Sequence, residues 1–553
     1  MQTQPAFASI VLCLAATAIA GGAVPQVWRT RDDIIDGWDW SLPPGVKPDP
    51  SSGVLINERK AGPDFPGRLS RQVNWSWRLL EPEEGRFDFA PLREAILKQS
   101  EGGKYAIELH VRASVWELRN FPDEAGYPKG WERHKERSAT APRWLKRYGI
   151  PLREMRKRGK DNIGTPFQVV NLDIWHPDYH RRYVRMVRAL GRSGVPRMPE
   201  ATWVFVHLWS SSRGEEGAGP PPGDPKRKLF EERLRAWAEA CRGVERKLCV
   251  VSHKEADLEL ATKLGMGQRN GFVEMYMLHC ESPMLGQSVD ADGYLVVDET
   301  CPLIAENRAS GDENEEYVPS AHVARFGPVE GWPHRYRESM LRVLQMRRNF
   351  VWAEGGRGLM DPPLLCYVAL ELGKNVRNAP DAWCYLRESV IGRGKRAKPV
   401  KNFERWLYQR DRDGCRTVAT EKVVVQRQIG HHPAHQYDYT ARRTDMAKGQ
   451  VFIAFSLDDR FLGARAEPVA VKITYRDRGN ARWALAYATP KGEQRKMVTC
   501  GDTGKVRTAT FFLPDARFHA PGLEPDFFIR ALEGNAVISF VRVIKLEALR
   551  REP

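Results

Sequence analysis

TWVFVHLWSSSRGEEGAG (Thr202 to Gly219) opens as an apolar, aromatic run with the character of a buried strand, stops at three serines and breaks into Gly-Glu-Glu-Gly. Polar groups gathered at the C-terminal end of a buried strand are what a parallel α/β barrel presents on its working face. Similar runs flank it on both sides: GVLINE (Gly53 to Glu58), LSRQVNW (Leu69 to Trp75), KYAIELHVR (Lys104 to Arg112), KLCVVSH (Lys247 to His253), GFVEMYML (Gly271 to Leu278), CPLIAE (Cys301 to Glu306) and NFVWAE (Asn349 to Glu354). Between them lie helical stretches such as PDYHRRYVRMVRALG and LFEERLRAWAEAC, with apolar residues at i, i+3, i+4 and i+7. Strands alternating with helices predict parallel βα units, and no Gly-x-Gly-x-x-Gly follows the first strand, so a closed (β/α)8 TIM barrel fits better than a doubly wound sheet. The barrel is expected over residues 21–395.

Past Arg416 the texture changes to period-2 runs, among them QVFIAFSL, AVKITYRD, RWALAYA and AVISFVRVIKL, separated by Gly, Pro and Asp turns. This predicts a smaller antiparallel β-sandwich over 416–553, reached through a basic linker at 396–415. Residues 1–20 carry an apolar run from Ala8 and the tripeptide Ala18-Ile19-Ala20, the outline of a signal peptide, although no Lys or Arg precedes the run. A secreted, periplasmic or cell-surface product is the expectation. No later run is long enough for a membrane span. The cysteines after Cys13 form no C-x-x-C pair and sit mostly in apolar contexts such as KLCVV, which reads as small buried residues.

The formal net charge is +16, which favours an anionic partner. Nucleic acid is disfavoured, because the basic residues are interleaved with acids and neither zinc-finger spacing nor an RNA-binding signature occurs. No G-x-S-x-G, H-E-x-x-H or G-x-x-x-x-G-K-[ST] is present, so serine-hydrolase, zincin and P-loop chemistry lack their entry motifs. The polar groups at predicted strand ends are dominated by carboxylates: Glu215 with Glu216, Glu306 beside Asn307 and Arg308, and Glu354, joined by Arg112 and His253. Glycoside hydrolysis is the chemistry that needs only a pair of carboxylates, one to protonate the leaving oxygen and one to attack or to activate water. It calls for no cofactor and no metal.

The segment NWSWRLLEPEEGRFDFAPLREAI (Asn74 to Ile96) resembles the W-x-x-L-E-P-x-E-G-x-[FY]-[DN] signature of clan A glycoside hydrolase barrels, especially family 42-type β-galactosidases and related bacterial barrel glycosidases. NLDIWHPDYHRRYVRMVRALG and LGKNVRNAPDAWCYLRES add weaker likeness, so that the resemblance runs from about Ser70 to Arg387. It implies an acid/base glutamate after strand four and a nucleophile at the end of strand seven, which by residue matching fall on Glu215 or Glu216 and on Glu306, with Glu354 as rival and Glu274 behind it. A retaining mechanism on a carbohydrate substrate follows. Within the signature, the Glu81-Pro82 turn and Gly85 read as structural.

Trp77, Trp209 and Trp352 are candidate sugar-stacking residues, and Arg112, His253, Asn307 and Arg308 candidate substrate contacts; His110 and His207 could also bond sugar hydroxyls. The segment Ala113 to Gln168 is expected to form a loop over the mouth, its Arg and Lys residues suited to sulfate or carboxylate groups. Asp312, Glu313, Glu315 and Glu316 lack calcium-loop spacing and read as a solvated loop. The usual Asn-Glu pair after strand four is replaced by Arg213-Gly214-Glu215-Glu216, which motivates the alternative of a non-catalytic glycan-binding protein on a degenerate barrel. A polysaccharide lyase ranks lower, since it would want a Tyr, His or Lys base.

Overall fold

The computed structural model describes residues 23–120, 139–155, 167–207, 219–252, 254–272, 286–313, 331–353, 361–391, 398–424, 437–519 and 525–546. Eight parallel strands form one sheet: β1 (Gly53–Leu55), β2 (Ser70–Ser76), β3 (Ala106–Arg112), β4 (Ala201–Val206), β5 (Leu248–Val251), β6 (Gly267–Phe272), β7 (Ser310–Glu313) and β8 (Phe350–Trp352). They neighbour one another in chain order, β8 pairs β1, and a parallel bridge between Val54 and Leu69 joins β1 to β2, so the ring closes as a (β/α)8 barrel. The principal helices are α1 (Ala90–Ser100), α2 (Pro177–Ser193), α3 (Pro225–Ala240), α4 (Glu255–Lys263), α5 (Trp332–Gln345) and α6 (Pro362–Glu371). Helix α2 shows why the local sequence folds this way. The His176 side chain accepts from the Asp178 amide, Pro177 occupies the first turn, and Gly194 ends the helix at φ 78°. Tyr179, Tyr183, Met186, Val187 and Leu190 form its buried stripe.

Two strands lie elsewhere than predicted. The apolar CPLIAE is a short helix, Pro302–Ala305, and the seventh strand is the polar Ser310–Glu313; the sixth begins at Gly267, before the predicted GFVEMYML. The barrel wall supplies the reason. Gly311 makes room for Phe350, whose ring would meet an added Cβ at 2.2 Å, while Asp312 is fully buried against Arg348 at 2.9 Å. A neutralised carboxylate and a glycine can thus fill strand positions that hydropathy assigns to apolar residues. Asp312 is accordingly no part of a solvated loop.

The sandwich begins earlier than predicted, and its two sheets share one core. One sheet runs 33–36, 506–516, 467–476, 537–545, 381–391, 437–443, 418–424, with 398–405 also paired to 381–391; the other runs 407–409, 452–457, 527–533, 482–489, 492–499. Residues 398–409, expected as linker, are therefore strands, and the N-terminal segment contributes an edge strand before entering the barrel. Helices α5 and α6 pack with Trp40, Trp383, Tyr385 and Phe540 in a core shared by the two domains. Buried ion pairs line the same seam: Glu371 of α6 reaches Arg405 of the sandwich at 2.5 Å, Asp39 of the N-terminal segment pairs with Lys472 at 2.7 Å, and Asp381 pairs with Arg542 of the neighbouring sandwich strand at 2.7 Å. All seven cysteines among the described residues are unpaired, and most are buried. No described helix is long and apolar enough to cross a membrane.

The L-E-P-E-E-G segment is structural. Glu81 is fully buried, its Oε1 accepting from the Gly85 amide at 2.7 Å and its Oε2 from the Trp77 indole at 2.8 Å, with Arg185 paired to the same carboxylate. Its backbone carbonyl takes the Trp144 indole N–H at 2.9 Å. Gly85, at φ 85°, holds the left-handed turn that lets the chain fold back onto this carboxylate. Replacing Glu81 by Ala strands buried donors, at about 1–3 kcal/mol for each. Denaturant titration of Glu81→Ala should show a loss of about 2–4 kcal/mol, against under about 0.5 kcal/mol for the exposed Glu83→Ala.

Candidate active site

Alternation along β2, β3 and β4 sends every second residue to the barrel axis. The lower axis is apolar: Ala106, Trp203, Cys249 and Phe350 pack there, with Trp203 fitting over Gly53. Moving toward the strands' C-terminal ends, one side of the axis turns polar. Register sets Gln72 beside Glu108, Asn74 beside His110 and Ser76 beside Arg112. Glu108 is fully buried, accepting from Ser70 Oγ at 2.7 Å and from Gln72 Nε2 at 3.3 Å. Burial pushes its carboxyl up to about 7, against the hydrogen bonds of Ser70 and Gln72 and the charge of Arg269, which pull it down. Above Glu108, His110 lies 3.8 Å from its Oε2 through Nε2, and 3.0 Å from His207 Nε2 through Nδ1. His110 also stacks on Phe205 at 4.3 Å, and the Arg269 guanidinium sits 3.9 Å over the Trp352 ring.

Two of the candidates read from the sequence stand at this end of the barrel. Arg112 ends β3 half-buried, and Trp352 ends β8 within the axial cluster. Three others lie at the opposite end. Glu306 caps the short helix that precedes β7, exposed, with its carboxylate 3.0 Å from Arg308, which also donates to the carbonyls of Thr262 and Met266. Asn307 donates to Ser51 Oγ and to the Gly373 carbonyl. These contacts tie down the N-terminal rim of the barrel, so Glu306, Asn307 and Arg308 stand away from the mouth. The Arg308 hydrogen bond and charge hold the Glu306 carboxyl below its ordinary value.

Trp77 is likewise corrected. It is fully buried among Trp144, Tyr179 and Tyr183, edge-on to each, and fills the core behind β2 instead of stacking on a sugar. Glu215, Glu216, Trp209, His253, Glu274 and Glu354 lie outside the described residues. The residue that does end β7 is Glu313, in register with Trp352 and on the same strand parity as Gly311. The segment after β3 builds a small antiparallel sheet of Val115–Asn120, Leu152–Met155 and Phe167–Leu172 where a plain loop was expected. Glu108 is not legible in the sequence, because only the strand register sets which face of the wall a glutamate inside IELHV occupies.

Among the described residues one group has metal-ligand spacing: His334, Glu338 and Asp438, all buried between α5 and the sandwich. Arg387 is ion-paired with Glu338 and lies 3.8 Å from Asp438, so a guanidinium already supplies the cation there. Burial raises the Asp438 carboxyl, but the His334 hydrogen bond and the Arg387 charge outweigh it and hold the group well below the usual range. This cluster is interdomain structure.

No family model matches the chain, and no curated protein does. Solved structures that match include a Bacteroides uniformis β-glucuronidase, 8% identical, covering 67% of this chain and 57% of that one at a TM-score of 0.19. Another is that organism's β-glucuronidase 2 covalently bound to cyclophellitol-6-carboxylate aziridine, 8% identical, with 67% and 56% covered at 0.19. A calcium-binding mutant of the same β-glucuronidase 2 is 7% identical, with 91% and 65% covered at 0.23. The chain thus spans between about half and two thirds of the length of these proteins. At such TM-scores, fold and site rest on the chain's own residues.

The raised Glu108 carboxyl makes a stability prediction with a definite sign. A carboxyl whose folded value exceeds its ordinary 4.5 contributes stability fully present below about 4.5 and lost as pH rises through about 7. Glu108→Gln, neutral and isosteric, should therefore gain stability relative to the parent as pH climbs over that interval and level off above it. Urea midpoints of both proteins across the interval check this; a pH-independent difference would refute it.

Proposed function

We propose that the chain is a glycoside hydrolase working at the C-terminal mouth of its barrel, with Glu313 as nucleophile and Glu215 or Glu216 as acid/base. The observation that carries this reading is the position of Glu313 at the end of β7, across from the polar axial wall of Gln72, Asn74, His110 and Arg112. The clan A resemblance of the Asn74 to Ile96 segment implies a nucleophile at that strand end, and β7 now runs to Glu313 instead of Glu306. Retention requires the two carboxyls to stand about 5–5.5 Å apart, inversion about 6.5–9.5 Å. Trp352 is buried in the axial cluster with Arg269 over its ring, and Glu354, two residues beyond it in the chain, keeps its place as the rival second carboxylate.

An anionic glycan, sulfated or uronic, suits the net charge of +16 and the guanidiniums of Arg112 and Arg269 near the axis. A leader at residues 1–20 would deliver the enzyme to where such polymers occur. The Arg213-Gly214-Glu215-Glu216 sequence, in place of Asn-Glu, favours a second reading as a glycan-binding protein without catalysis.

A panel of neutral, uronic and sulfated polysaccharides assayed for new reducing ends decides between them. On the substrate found, Glu313→Gln should lower kcat by about 10³-fold or more while leaving binding intact. Glu306→Gln should keep parental activity. Full activity in Glu313→Gln rejects the nucleophile assignment, and binding without cleavage across the panel supports the second reading.

A further inference from the structure

We propose that Glu108 is a positioning residue: through His110 it dictates which ring nitrogen of His207 carries the proton, and so whether His207 acts as donor or acceptor at the barrel mouth. The three side chains form a column along the axis, each buried, with 3.8 Å from Glu108 Oε2 to His110 Nε2 and 3.0 Å from His110 Nδ1 to His207 Nε2. Two imidazole nitrogens at 3.0 Å share one hydrogen, so one ring must donate and the other accept. That makes their tautomers interdependent.

The consequences can be counted proton by proton. With Glu108 ionised, His110 keeps its hydrogen on Nε2, facing the carboxylate. Its Nδ1, which carries no hydrogen, accepts from His207 Nε2–H, and the Nδ1 of His207 carries no hydrogen in this state. When the column takes up a proton, that proton enters at His207 Nδ1, the Nε2 hydrogen of His207 passes to His110 Nδ1, and the Nε2 hydrogen of His110 passes to Glu108. Each ring holds one hydrogen before and after, and the carboxyl gains one. The 3.8 Å contact must shorten by about 1 Å for the last step, within reach of a side-chain adjustment.

The surroundings suit this role. Ser70 and Gln72 donate to Glu108 from β2, Arg269 faces it from β6, and Trp352 from β8. The Cys249 thiol on β5 is pushed well up by burial and stays protonated. On the other side of the column, Tyr183, pushed up to about 12 by burial, donates its hydroxyl to the His207 carbonyl, fixing the residue without titrating. Burial against Arg269 leaves Glu108 near neutrality, where both states are populated.

The test is ring-nitrogen NMR on the full chain with ¹⁵N-labelled histidine, assigning His207 by the signal lost in His207→Gln. The parent should show His207 passing from Nε2–H to Nδ1–H as pH falls through the range in which Glu108 titrates. Glu108→Gln should hold one tautomer throughout, and His110→Asn should uncouple His207 from Glu108. If the parent's His207 keeps one tautomer, or becomes doubly protonated while Glu108 stays ionised, the proposal is overturned; the parent's titration decides this even if a variant fails to fold. The same exchange in Glu108→Gln as in the parent also overturns it. The readout needs no substrate, so its failure would leave the hydrolase reading standing, and the reverse holds as well.

Discussion

Closing eight parallel strands into a ring gives the alternate residues of every strand one destination, the axis, and all else in this molecule follows from what the chain sends there. At the lower end the answer is apolar filling, Trp203 and Phe350 set against Gly53 and Gly311, bulky groups fitted to absent ones. Higher up, β2 and β3 send Ser70, Gln72, Asn74 and Ser76 beside Glu108, His110 and Arg112. A polar group brought into that space must find a partner or cost roughly 1–3 kcal/mol. Ser70 and Gln72 meet that demand for Glu108, and His207 meets it for His110.

The sandwich is part of the same construction. Its first sheet takes an edge strand from the N-terminal segment, and residues 38–41 then lead into the seam with the barrel. There Lys472 is fully buried, and burial, reinforced by Arg542, brings its amine down to about 7 even though Asp39 pulls the other way. Arg542 bridges Asp381 and the Asp39 carbonyl. Buried charges of this kind add little net stability compared with apolar packing, but breaking one leaves its partner uncompensated, so they fix geometry. The pairs that reach the barrel's own helices are Arg387 with Glu338 on α5 and Arg405 with Glu371 on α6, the helices behind β7 and β8. The sandwich therefore acts as a brace for the half of the barrel that ends in Glu313 and Trp352.

Most of this was legible in the sequence where hydropathy and burial agree. KYAIELHVR, TWVFVHLW and KLCVVSH announce β3, β4 and β5, because both faces of those strands are largely covered. SGDE does not announce β7, since its outward carboxylate is neutralised by Arg348, a residue 36 positions away in the chain. The apolar CPLIAE then attracts the strand assignment, although Pro302 opens a helical turn there. That one displacement sets the expected end of strand seven, and with it the expected nucleophile, on Glu306 at the far rim, whereas the strand ends at Glu313. Trp77 failed differently: an aromatic after a strand suits a sugar platform and a core equally well, and only the surrounding Trp144, Tyr179 and Tyr183 decide for the core.

The charge balance of the axis limits what the mouth can do. A carboxylate near its own midpoint beneath a reaction centre opposes ionisation of a second one nearby, since like charges in a low dielectric raise each other's pKa. In the proposed reaction a nucleophile at Glu313 must stay ionised, and that opposition calls for a compensating cation. Arg269 is a cation held over Trp352 between β6 and β8 and near enough to lower Glu108. Glu108 can then exchange its proton with the histidines above it while the guanidinium keeps the opposite wall receptive to negative charge. The axis thus sets the Glu108–His110–His207 column along β3 and β4 against the Arg269 guanidinium held over Trp352 between β6 and β8, two environments whose carboxyl groups are pushed in opposite directions.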